Sequence, residues 1–137
     1  MAISSAICSS FKQELLQGKH SLDTSGNGGD TFKIALFTSS ASLGAATTVY
    51  STSNEISGSG YSAGGATLTN TGVGLDSTTA FTDFSDVSFT SASFTANGCL
   101  IYNTTMAGGS GTTNAVCAVA FGGDKTVSSG TFTIQFP

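Results

Sequence analysis

A chain of 137 residues is near the commonest size for one domain and long enough to enclose a core. Twenty-two Ser, 21 Thr and 18 Gly dominate it; Arg and Trp are absent, His20 is the only histidine, and 4 cations face 8 acids. A net charge of −4 with scattered lysines excludes phosphate-driven binding to nucleic acid and docking on anionic membranes, and so few ionisable groups leave little for acid–base or metal chemistry.

The first predicted element is a helix. Ile3, Ile7, Phe11 and Leu15 recur at every fourth position, with Cys8 and Leu16 widening the stripe, which predicts an amphipathic helix over about residues 4–17. Ser4 or Ser5 can cap its start, Gly18 suits the position after its end, and Lys19 and His20 lie near the negative end of its dipole. Such a helix packs on its own sheet or docks on a neighbouring subunit, and both readings stay open.

After the flexible stretch Asp23–Asp30 the period becomes two. Thr31–Phe37 alternates and is expected as the first central strand, followed by strands at about 48–52, 66–71, 87–95, 98–103, 115–121 and 131–136. Gly and Ser clusters at 57–65 and 107–111 punctuate them, and Asn103–Asn114 reads as a hairpin connection. Leu75–Phe84 reads as irregular, anchored by Phe81 and Phe84. The only proline is Pro137, so no internal position is barred from a central strand, and ten Phe supply most of the packing bulk. These signals predict a mainly β single domain over 1–137: an antiparallel β-sandwich or jelly-roll-like unit over about 31–137 with one N-terminal amphipathic α-helix. One twisted sheet backed by the helix is the alternative.

Each constellation that resembles a reactive site has a simpler account. Asp23, Ser25, Asn27 and Asp30 imitate a calcium loop but lack the closing glutamate of an EF-hand, so a solvated turn is expected. The glycines of Gly58–Gly65 precede no helical pattern, so a tight turn or close backbone contact between subunits fits better than a phosphate cradle. His20 with Asp23 and a serine has no motif marking the nucleophile, and a capping or solvent-facing histidine is expected. Asp83 and Asp86 lack the sugar-stacking Trp and clamping Arg of a glycosidase and read as turn formers. Neither catalysis, a cofactor nor a metal site is expected.

Cys8, Cys99 and Cys117 are odd in number and contain no paired motif. They read as buried free thiols, with a Cys99–Cys117 bridge on adjacent strands as the lesser reading. Residues 1–8 lack a secretory pattern, and a chain assembled in a reducing cytosol is the expectation.

Six segments recur in a familiar order: Phe11–His20, Asp30–Thr38, Glu55–Gly65, Gly98–Asn103, Phe121–Thr126 and Gly130–Pro137. Through them the chain resembles, over nearly its whole length, a family of small structural proteins encoded by tailed bacteriophages. Where that family carries Ala or a similar small residue this chain has Cys99, so no thiol chemistry is implied there. The resemblance implies a non-enzymatic virion component assembled in the host cytoplasm. The leading expectation is a capsid decoration (cement) protein, commonly a homotrimer, whose partners are the major capsid protein and other copies of itself. The expected contact residues are Ile3, Ile7, Phe11 and Leu15 on the helix and Gly58, Gly60 and Tyr61 in the loop. The runner-up is a tail or fibre component with a receptor-binding or adaptor role, for which a host receptor is the partner. A free carbohydrate-binding or hydrolytic protein is disfavoured by the missing Trp and Arg.

Overall fold

The computed structural model of the protein describes residues 2–24, 29–106 and 113–137. The chain is mainly β, in antiparallel sheets, with one short helix near the N-terminus.

The predicted N-terminal helix is shortened. Ile3 makes a parallel bridge to Leu43, β1 (Ala6–Ile7) pairs with a later strand, and only Ser9–Leu16 form the helix α1. Residues 3–7 are extended because their backbone groups serve the sheet: the Ser4 N–H reaches the Leu43 carbonyl, and the Cys8 N–H reaches that of Val116. Cys8, extended at φ −64° and ψ 135°, stands at the N-cap where Ser4 or Ser5 was expected. The end of the helix follows the sequence. Gly18 sits at φ +71°, its N–H on the Leu15 carbonyl at 3.1 Å and that of Lys19 on Glu14 at 3.0 Å, the paired bonds of a glycine C-terminal cap.

The main sheet has five strands in the order β1–β7–β6–β2–β3. Its apolar centre is β2 (Phe32–Phe37), which runs antiparallel to β6 (Val87–Asn103) from Phe32↔Asn103 to Phe37↔Gly98. β7 (Asn114–Ile134) flanks β6 on the other side, and β3 (Ala66–Thr67) covers only the start of the β2 edge. The predicted strands 87–95 and 98–103 are one strand, as are 115–121 and 131–136. The irregularities between the predicted pieces are absorbed within the pairing: it jumps from Ala96↔Lys125 to Gly98↔Ala120, so Phe121–Asp124 forms a bulge with Gly122 at φ +77°.

Away from β2, β6 and β7 leave the sheet together as a two-stranded ribbon. One side carries Phe89, Phe94 and Phe132, with Phe94 5.1 Å from Phe132 between ring centres. The opposite side is joined by hydroxyl pairs, Ser88–Thr133 at 2.9 Å and Thr95–Thr126 at 2.8 Å. Short side chains can do this at little entropic cost.

A second sheet consists of the hairpin β4 (Asn70–Asp76) and β5 (Thr79–Phe84). Leu75–Phe84 was expected to be irregular, the predicted strand 66–71 is divided between β3 and the start of β4, and of the predicted strand 48–52 only the bridge Val49↔Asn114 is present. The hairpin joins the main layer at its base: Phe84 meets Phe32 edge-on at 5.7 Å, and the Asn70 amide donates to the Leu22 carbonyl at 2.8 Å. Most of the Asn103–Asn114 connection lies outside the described residues, and the strands it joins form the expected hairpin.

Candidate interaction surface

The fold divides the expected contact residues into two groups. Ile3 and Phe11 face inward: Ile3 fills the space over Gly98, and the Phe11 ring lies 4.7 Å from that of His20. Gly58 and Gly60 touch the chain's own β6. A Cβ on Gly58 would lie 2.3 Å from the Ser93 carbonyl oxygen, and one on Gly60 2.6 Å from that of Thr90. Tyr61 packs between Phe89 and Phe94. The close backbone approach read from these glycines is therefore present, but within one chain. Of the seven, Ile7, Leu15, Gly58 and Gly60 are exposed, Tyr61 is half-buried, and Ile3 and Phe11 are buried.

Glu55 organises that loop, with no signal in the sequence beyond its lone charge. Its carboxylate accepts from the phenols of Tyr50 and Tyr61, each at 2.6 Å, and from the Gly64 N–H at 2.8 Å. Tyr102 donates to the Gly64 carbonyl at 2.6 Å and stacks on Tyr50 at 4.4 Å. Burial, reinforced by the bond to Glu55, pushes the Tyr61 phenol well above its ordinary range, and Tyr50 is raised by the same causes. The group is thus a neutral-phenol clamp on one carboxylate.

His20 corrects a second expectation, since it is buried instead of capping or solvent-facing. Its Nδ1 is 2.9 Å from the Asn103 amide nitrogen, which also donates to Asp30 Oδ2 at 2.7 Å. Its Nε2 lies 3.5 Å from Glu14 Oε1, and neither of these two atoms has a hydrogen-bond partner among the described residues. The other Glu14 oxygen accepts from Asn114 at 2.6 Å. This array ties α1 to the β2 and β6 ends of the sheet.

The open apolar surface lies between α1, the main sheet and the β4–β5 hairpin. A groove of about 490 Å³ runs past Ile7, Phe81, Phe84, Val119 and Phe136. Beyond Phe81 and Leu22 it continues between Leu15 on α1 and Val73 on the hairpin. Val73, which lines it, is 58% exposed, and elsewhere on α1 and the hairpin Leu16 is 92% and Leu75 71% exposed. The Val73-x-Leu75 alternation followed by Asp76–Ser77 was the signal that could have placed this hairpin.

The remaining candidates resolve simply. Asp83 accepts from the Phe84 N–H and Asp86 from that of Phe136, both at 2.8 Å, which is turn chemistry. Ser25 and Asn27 of the calcium-like loop lie outside the described residues. Among the described residues no three His, Cys, Asp or Glu side chains are grouped to hold a metal. The three cysteines are free thiols, with Cys99 opposite Val119 and Cys117 opposite Ile101 across the same strand pair. No family model, no curated protein and no solved structure matches this chain.

Proposed function

We propose that the protein is a bacteriophage virion component that works by contact, as a capsid decoration (cement) protein adding buried area across joints of the major capsid protein shell. The observation that carries this reading is the uncovered groove bordered by Ile7, Leu15, Phe81 and Val119. The chain as a whole has few long charged side chains, the residues depleted at the centres of interfaces. The Glu55 clamp supports the same reading, because it fixes a loop rigidly without presenting a reactive group. Repeated weak contacts of many copies give lasting occupancy of a shell.

The test is the resistance of expanded shells to heat and low ionic strength, with and without the purified protein. Added protein raises the temperature of shell disruption if the reading holds; equal curves remove it. Copies per particle separate this from a tail or fibre role: hundreds accompany a shell, and a few dozen or fewer a tail.

A further inference from the structure

The helix α1 and the hairpin β4–β5 each present apolar side chains left exposed by the described residues, and their charges are opposite. On the outside of α1 stand Leu15 and Leu16, with Lys12 exposed one turn before Leu16 and Lys19 just past the helix end. The one acid of the helix, Glu14, is buried against His20 and Asn114, so the outer face is purely cationic. The hairpin is the converse. It carries Val73, Leu75 and Phe81, and its only ionisable groups are Asp76 at the tip and Asp83 near the base. Lys12, Lys19 and Asp76 have no ion-pair partner among the described residues.

We propose that the hairpin β4–β5 of one copy of this chain packs onto α1 of a second copy, Val73 and Leu75 against Leu15 and Leu16, with Asp76 beside Lys12 and Lys19. Two-stranded hairpins are marginal alone, and this one is fastened to its own chain mainly at its base, so a partner across its side chains also completes its own folding. The contact is between two different surfaces, so it closes into a ring or a reciprocal pair instead of joining like to like. Four apolar side chains are fewer than a standard interface of about 1,600 Å² contains, so the expected affinity of free protein is about micromolar. The proposal deepens the structural reading above and rests on it for its purpose, while its test does not use shells.

The experiment is sedimentation velocity of the purified full chain from micromolar to millimolar concentration, with circular dichroism to confirm that each variant is folded. Wild-type protein associates with rising concentration. Leu16→Glu and Leu75→Glu, both at exposed positions, each weaken association at least tenfold, and mixing the two restores it in part, to an open pair, because the intact hairpin of one meets the intact helix of the other. Asp76→Lys weakens it and Lys12→Glu with Lys19→Glu weakens it; combining all three recovers most of the loss. A wild-type chain that stays monomeric to millimolar concentration, a Leu75→Glu variant that associates like wild type, or a charge exchange that recovers nothing overturns the proposal. A chain that associates as described but leaves shell stability unchanged sinks the cement role and not this contact.

Discussion

Glu55 and Tyr61 meet at 2.6 Å, carboxylate to phenol, and the same phenol oxygen accepts the Leu36 N–H of β2 at 2.9 Å. β3 pairs only with Lys33 and Ile34, so beyond it the β2 edge would be left without partners. Tyr61 supplies an acceptor there, while the Ile56 N–H supplies a donor to the Leu36 carbonyl at 3.0 Å. A side chain and a loop thus substitute for a missing strand.

Removing that hydroxyl leaves a buried N–H without an acceptor. Tyr61→Phe is expected to lower unfolding stability by about 1–3 kcal/mol. Glu55→Ala, which strands three donors, costs more than Tyr61→Phe. Urea denaturation of the two variants checks the order; a Glu55→Ala chain as stable as wild type refutes the clamp.

Gly65 and Gly122 share a positive φ, +80° and +77°, and differ in their surroundings. A Cβ on Gly65 would fall 1.8 Å from the Ile34 carbonyl oxygen, whereas nothing lies within 4 Å of one on Gly122. Gly122→Ala should therefore cost only backbone strain, about 1 kcal/mol, and Gly65→Ala about 3 kcal/mol or more. Thermal melts of both decide it.

The His20 ring has a defined tautomer. Asn103 Oδ1 accepts the N–H groups of Thr105 and Met106 at 3.0 and 2.9 Å, so its NH₂ is the group that faces His20 Nδ1. Nδ1 is then the acceptor, and the neutral ring carries its proton on Nε2. Nitrogen-15 NMR of the imidazole should report a protonated Nε2 and a bare Nδ1 in the neutral ring. Asn103→Asp sets a carboxylate against Asp30 and is expected to destabilise the fold by about 3–5 kcal/mol.

The thiols fix a pH dependence. Burial raises Cys99 from 9.0 to about 12, helped by the nearby Cys117, and raises Cys117 to about 11, helped by Cys8. The folded chain holds these protons more tightly than the unfolded one, so this contribution is full below pH 9 and is lost as the pH climbs towards 11 and then 12. Native protein at pH 8 should react slowly with a thiol reagent, and denaturant should release all three cysteines at once. Fast labelling of Cys99 in the native state contradicts the packing.

What the sequence made legible follows from burial. β2 was found because Phe32 to Phe37 are almost wholly buried and apolar, and the end of α1 because Gly18 adopts a backbone other residues avoid. The start of α1 was missed because Ile3 and Ile7 fit a helical period by accident while their N–H groups went to the sheet. The continuity of β6 and β7 was missed because a bulge accommodates Gly122 and Gly123 without ending the pairing. The β4–β5 hairpin was missed because its alternation is only two apolar residues long, Val73 and Leu75, both exposed, so no buried face extended the pattern. The Glu55 clamp joins side chains from Tyr50 to Tyr102, and nothing local announces it.

β6 and β7 cross both halves of the molecule without interruption, a span of roughly 50 Å at about 3.3 Å per residue for the shorter strand. The aromatic ribbon and the five-stranded sheet are therefore joined by the covalent backbone of two antiparallel strands. A load applied at the Val87–Ile134 end runs along these backbones into the five-stranded sheet and passes to β2 only across the hydrogen bonds of the β2–β6 ladder, while the bulge at Phe121–Asp124 is where β7 departs from its pairing with β6.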